Sequence, residues 1–267
     1  MKQLSLSEIK EIELDILIAF DKYCRENDLT YFLCGGTLLG AIRHNGFIPW
    51  DDDIDVFMPR PDYEKLMILT QSKPISSNFR LASYSNKNCF TPTPFYKVFD
   101  DRTFVVQHYS KIPLKIWVDI FAIDGLPDEQ KKINKIYKKL SFYKTILGIC
   151  TSDFTYKQKL YKKIIKYILK PFVHMIGLKN ICKRMDRNTV SIKYENSNIV
   201  GVKHWGYGPN EAMKKDELLP VEHVFEGKKF FIPANYHKYL TNLYGDYMQL
   251  PPEEQRICHG IKAYKLD

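Results

Sequence analysis

Four aspartates fall within five positions of this chain. Asp51, Asp52, Asp53 and Asp55 open directly into the apolar run Val56-Phe57-Met58. Like charges packed this closely repel one another, and beside a hydrophobic strand they call for a counter-cation. Hard divalent ions such as Mg²⁺ accept carboxylate and phosphate oxygens together. Side chains alternate across a strand, so Asp53 and Asp55, on either side of Ile54, project from one face. A further carboxylate, Asp119, lies within the strongly apolar strand Trp117-Val118-Asp119-Ile120-Phe121. If the two strands neighbour each other, Asp53, Asp55 and Asp119 form a metal-binding catalytic set. Such a set can hold two Mg²⁺ ions, with Mn²⁺ as a substitute, for in-line displacement at phosphorus. The competing reading is a solvated turn with no chemistry; the two flanking elements weigh against it.

The first of those elements is Gly35-Gly36-Thr37, about fifteen residues before the acids. A glycine turn lets backbone amides approach a phosphate without side-chain obstruction. Thr37 would either donate to that phosphate or cap the helix running to His44. Arg43 would neutralise a diphosphate, or lie solvated on the helix. The other element is the Asp119 strand itself.

These residues need a scaffold. Ser5 to Glu26 reads as a helix with an apolar face at Ile9, Ile12, Ile16, Leu17 and Phe20 and a Ser5/Glu8 capping box. Strands are expected at Tyr31–Cys34, Ile54–Met58, Phe79–Ser83, Phe95–Phe99, Thr103–Gln107 and Trp117–Phe121, the last ended by Asp124-Gly125. A helix starts at Pro61 and runs to about Gln71. From Glu129 to about Met185 the pattern is helical, with interruptions at Gly148 and Pro171. Short strands (Ile199–Val202, Lys229–Ile232) and a helix (Tyr236–Tyr244) follow. The organisation is a core over 1–127, a basic helical insertion over 128–195, and a C-terminal segment over 196–267 packing back on the core.

Of 267 residues, 45% are hydrophobic and 27% charged, an ordinary globular composition that excludes disorder. The net charge of +9 is concentrated: Asp128 to Lys193 carries 17 Lys and Arg against four acids, +13 in all, leaving −4 elsewhere. No apolar stretch is long enough to span a bilayer. The acidic N-terminal region lacks the apolar core of a signal peptide. Six scattered cysteines show no Cys-x-x-Cys pair, so neither a disulfide framework nor a zinc knuckle is indicated. The expected setting is cytoplasmic with reduced thiols. Between Lys157 and Lys170, Leu160, Tyr161, Ile164, Ile165 and Ile168 share one stripe and the lysines lie largely elsewhere. Such a helix either rests on an anionic membrane through 157–185, or packs its stripe on the core and leaves its lysines in water. Nucleic acid is a weak third reading, because no RNA-binding module accompanies the basic run.

The segment GGTLLGAIRHNGFIPWDDDIDV resembles the core motif of the LicD family of phosphotransferases. FYKVFDDRTFV, WVDIFAIDGLP and FEGKKFFIPANYHKYLTNLYGDYMQLPP resemble its later blocks, in order. The resemblance implies an α+β, nucleotidyltransferase-like mixed sheet flanked by helices. It implies transfer of a phospho-alcohol from a CDP-linked donor to a glycan. By position, Asp53 and Asp55 match the metal-binding pair and Asp119 the third carboxylate, Asp51 matches an acid lining the site, and Lys97 sits in a phosphate-contacting block. The zinc-binding cysteine cluster of some animal relatives is absent.

Within that family CDP-choline is the preferred donor here and a lipid-linked cell-envelope glycan, teichoic acid or related, the acceptor. A quaternary ammonium needs aromatic faces, and Trp205 and Tyr207 are the chosen pair. Asp119 is also a candidate general base, and Lys97 and Arg43 would stabilise phosphate charge. His204, His223 and His259 read as surface or hydrogen-bonded histidines. Three alternatives stand: another CDP-alcohol (ribitol, glycerol, ethanolamine), a nucleotidyltransferase consuming a triphosphate, and an inactive glycan- or membrane-binding module.

Overall fold

A computed structural model describes residues 2–106, 114–151, 160–256 and 260–266, without the side chains of 160–163 and 165. Strand β1 (Lys2–Gln3) leads into helix α1 (Leu6–Glu26). The capping box forms: the Ser5 hydroxyl accepts from the Glu8 N–H, and the Glu8 carboxylate accepts from the Ser5 N–H at 2.8 Å. Two amides that a helix start leaves open are thereby satisfied. Ile9, Ile16, Leu17, Phe20 and Tyr23 form the buried face of α1, and Glu13 is buried among them.

The core then alternates β2 (Phe32–Leu33), α2 (Gly35–His44), β3 (Asp55–Pro59), α3 (Arg60–Ser72), β4 (Phe79–Ala82), β5 (Tyr96–Asp100), β6 (Thr103–Val106) and β7 (Trp117–Leu126). Three helices follow, α4 (Gln130–Thr151), α5 (Leu160–Ile176) and α6 (Leu178–Thr189). The chain returns through β8 (Ile199–Val202), β9 (Met213–Lys214), the hairpin β10 (Pro220–Phe225) and β11 (Lys228–Pro233), α7 (Tyr236–Tyr244) and β12 (Lys262–Lys265). The architecture is α+β with a mixed sheet.

The main sheet has seven strands in the order β2-β3-β7-β5-β4, with β8 on β7 and β9 beyond β8. Strand β7 is its axis. The first half of β7 pairs antiparallel with β5, its second half antiparallel with β8, and β3 runs parallel along its other edge. All ten β7 residues are buried, which is why the segment reads as a near-continuous apolar run rather than an alternating one. Strand β12 joins β6 and β1 in a smaller antiparallel sheet, bringing the C-terminal region back to the core.

Several sequence expectations need correction. Strand β7 does not end at Asp124-Gly125 but continues through both to Leu126. Asp124 is drawn inward by a buried Arg60, whose Nε and Nη2 grip its two oxygens at 2.7 and 3.0 Å. Helix α4 runs through Gly148 and α5 through Pro171; the passage from α5 to α6 comes instead at Gly177, with φ at +79°. Of the two readings offered for His204, surface or hydrogen-bonded, the second holds: the residue is wholly buried, its Nε2 3.2 Å from Asp186 on α6. Asp186 also receives Arg60 Nη1 and the Tyr84 hydroxyl at 3.2 Å each. These contacts tie the helical segment to the sheet. Cys24, Cys34, Cys89, Cys150 and Cys182 are free thiols. Gln107, Cys258, His259 and the side chains of Leu160, Tyr161 and Ile165 lie outside the described residues.

Candidate active site

The parallel register of β3 and β7 sets Asp55 opposite Asp119, and the antiparallel register of β5 sets Lys97 opposite Asp119 from the other side. Asp55, Asp119 and Lys97 therefore stand in a row across three strands. Lys97 donates to Asp119 Oδ1, and the Trp117 indole N–H donates to Oδ2 at 3.0 Å. Both partners are nearly buried, 4% exposed for Lys97 and 8% for Asp119. The Asp119 N–H bonds to the Ile54 carbonyl at 2.9 Å, which fixes the acidic loop against β7.

Asp53 does not belong to the strand: β3 begins at Asp55. Asp51, Asp53 and Asp55 nonetheless line one cavity of about 300 Å³, together with Cys34, Gly35, Gly36, Phe121, Trp205, Tyr207 and Glu211. A larger hollow of about 720 Å³ near β4, lined by Thr70, Arg80, Asn86 and Lys87 among others, has no carboxylate in its wall.

The glycine pair is not a turn ahead of the helix but its first two residues. Gly35 has φ of +53°, a left-handed conformation that side chains disfavour. At Gly36 a Cβ would stand 2.8 Å from Asp51 Oδ2, so a bare backbone is what lets that carboxylate close over α2. Thr37 faces inward. Its hydroxyl accepts the Asp55 N–H at 2.8 Å, and the Cys34 N–H bonds to the Asp55 carbonyl at 3.1 Å. Thr37 thus stitches α2 to β3. Arg43 is outside the cavity wall, donating to the carbonyls of Tyr247 and Gln249 at 2.9 and 3.3 Å.

The aromatic wall is built by the segment after β8. Trp205 packs against Phe95 with centroids 5.6 Å apart, and Lys144 of α4 lies 5.0 Å over its ring while bonding to its carbonyl. The Tyr207 hydroxyl accepts from Tyr244 at 2.8 Å. Glu211, which no sequence motif marks, holds this wall. One of its oxygens accepts the Tyr207 N–H at 2.8 Å, and the other accepts the Tyr239 hydroxyl at 2.8 Å. The Tyr239 oxygen in turn accepts the Gly35 N–H at 3.3 Å. One carboxylate therefore joins the aromatic wall to the start of α2.

Electrostatics mark the cavity as short of positive charge. Burial first, then Asp53 and Asp119, push the Asp55 carboxyl well above the usual range, with Lys97 opposing. Glu13, buried beneath the acids, is pushed up by burial and by Asp53, Asp52 and Asp51 in turn. Burial raises Glu211 to about 7. Hard oxygen donors that strain one another suit a divalent cation. Among the described residues no three acidic, histidine or cysteine side chains converge on one point.

Residues 28–176, more than half of the chain, match the family model described as LicD/FKTN/FKRP, nucleotidyltransferase domain. The chain belongs to the LicD family. A relative from Haemophilus influenzae, lipopolysaccharide cholinephosphotransferase LicD, is 35% identical over 277 aligned positions that cover all of both chains. Shorter matches occur to uncharacterized proteins of Rickettsia typhi (36% over 63 residues, 23% of this chain and 20% of the other) and Rickettsia prowazekii (49% over 37 residues, 14% of each).

Proposed function

We propose that this LicD-family protein is a phosphocholine transferase that moves phosphocholine from CDP-choline to a sugar hydroxyl of a cell-envelope glycan precursor, releasing CMP. The observation that carries this reading is one cavity lined by both aspartates and aromatic rings. A pyrophosphate with its cation suits the carboxylates, and a quaternary ammonium, which cannot donate ordinary hydrogen bonds, suits the aromatic faces. The end-to-end similarity to a cholinephosphotransferase supports the same choice. The nucleotidyltransferase-like description of the sheet belongs to this proposal, as does a cytoplasmic setting where CDP-choline is at hand.

Asp53 and Asp55 on the cavity wall, with Asp119 opposite Asp55 across the strands, would have to draw together to hold Mg²⁺; when bound, the metal would neutralise charge on the donor's phosphates. Gly36, whose side-chain-free backbone lines the same cavity, would offer its amide to a phosphate oxygen at the start of α2. Lys97 holds Asp119 Oδ1 and would add positive charge near the donor's phosphates. Both Asp119 oxygens accept N–H donors, from Lys97 and from the Trp117 indole; this suits an anchoring role better than that of general base. Trp205 and Tyr207 would enclose the choline head group.

Incubation of the purified protein with Mg²⁺, CDP-choline and an isolated envelope glycan should release CMP. Asp55→Asn should lower that rate about a hundredfold or more. Pyrophosphate release from a nucleoside triphosphate, without CMP release from CDP-choline, would establish the nucleotidyltransferase alternative instead. Parallel assays with CDP-ribitol, CDP-glycerol and CDP-ethanolamine rank the donor alcohols.

A further inference from the structure

Helix α5 turns its apolar stripe the wrong way for a helix that merely packs on a core. Ile164, Ile168, Phe172 and Met175 succeed one another at helical spacing on one side. With Tyr167 they are between 51% and 85% exposed. On the opposite side Val173 is buried and Ile176 half-buried, against Leu147, Ile149, Ile181 and Met185 of α4 and α6. The helix is thus anchored by one narrow edge and presents its broad apolar face outward. Isolated exposed apolar residues need no explanation, but a continuous stripe of large ones marks a contact surface.

The charge around this face selects its occupant. Helices α4, α5 and α6 contain one acidic residue between them, Asp186, and that carboxylate is engaged by Arg60, His204 and Tyr84. Lys131, Lys132, Lys135, Lys138 and Lys139 of α4 are exposed, as are Lys179, Lys183, Arg184 and Arg187 of α6. Both helices pack against α5. A second copy of the chain would bring the same positive field to the same face and be repelled. A nucleic acid would use the lysines but has no use for the apolar stripe. An anionic bilayer surface accepts both, apolar side chains below the headgroups and cations among them. No helix among the described residues is long and apolar enough to cross a membrane, so contact would be in the plane of the interface.

We propose that α5 is a membrane-docking helix that seats Ile164, Tyr167, Ile168, Phe172 and Met175 in the interface of an anionic bilayer, with the cations of α4 and α6 against the headgroups. The docking face is independent of the donor and the reaction assigned above. Because α4 also carries Lys144, which bonds to the carbonyls of Trp205 and Gly206 beside the cavity, a docked protein would keep its active site close to the lipid surface.

Co-sedimentation of the full chain with vesicles tests this. Binding is expected to phosphatidylcholine vesicles containing phosphatidylglycerol, to be weak on phosphatidylcholine alone, and to fall as salt rises. Phe172→Ser with Met175→Ser should lower the partition coefficient about tenfold or more, with circular dichroism showing the helices intact. Lys179→Glu with Lys183→Glu should lower it on anionic vesicles only. Absence of binding to phosphatidylglycerol vesicles would overturn the proposal. So would binding that the serine variants leave unchanged, since that reports charge alone. Sedimentation velocity showing a dimer that the serine variants dissociate would reassign the face to a second copy.

Discussion

Replacement of Glu211 by glutamine gives a measurable consequence of burying one carboxyl in the cavity wall. Burial raises this group from 4.5 to about 7. A proton held more tightly in the folded chain than in the unfolded one makes stability highest below the unfolded value. That advantage is lost as pH rises from 4.5 through 7, and the rise corresponds to about 3 kcal/mol. Glutamine is the isostere of the neutral acid: it keeps one acceptor oxygen and presents an N–H donor where the protonated acid has O–H. Below pH 4.5 the two proteins should therefore match to about 1 kcal/mol. Above pH 7 wild type should have lost about 3 kcal/mol relative to Glu211→Gln. Urea unfolding followed by tryptophan fluorescence, at several pH values across this range, reads the difference directly. Contributions that do not titrate cancel in the comparison. A stability difference constant with pH would refute the claim that Glu211 is desolvated in the wall. The same variant loses the acceptor that the ionised form offers to both the Tyr207 N–H and the Tyr239 hydroxyl, so KM for the donor should rise more than kcat falls.

Other substitutions separate the scaffold from the chemistry. Lys97→Met should cost about 3–5 kcal/mol by leaving Asp119 buried without its cation, and adding Asp119→Asn should recover most of that loss in a double-mutant cycle of unfolding free energies; additivity would contradict a coupled pair. Glu13→Gln should be more stable than wild type at alkaline pH and no more stable below pH 4.5, because burial and the nearby aspartates raise the Glu13 carboxyl and its Oε2 has no partner; thermal melts across pH decide. Gly36→Ala should push the Asp51 carboxylate aside, lowering kcat/KM about tenfold while leaving the unfolding free energy within about 1 kcal/mol; a large loss of stability would mean that the helix start itself, rather than Asp51, is disturbed.

Much of this arrangement is legible in the order of the residues. Periodicity and caps are local, so α1 with its Ser5–Glu8 box, α7 at Tyr236–Tyr244 and β8 at Ile199–Val202 follow from the sequence. The crowding of Asp51 to Asp55 and the apolar run around Asp119 also announce their chemistry locally, through charge repulsion and burial. Strands β1, β9 and β12 escape, because two to four residues give little period to read, and β1 and β12 find each other only from opposite ends of the chain. Strand β7 runs past Asp124-Gly125 only because Arg60, more than sixty positions earlier, neutralises Asp124 inside the protein. Sequence alone therefore determined which side chains carry charge, where the helices and most of the core strands lie, and the family. Tertiary structure decided that Asp55, Asp119 and Lys97 stand in a row, that Glu211 closes the cavity, and that α5 turns its apolar stripe to the outside. Strand register and helix orientation are set by contacts between segments distant in the chain, and a local pattern carries no record of which neighbour will be met.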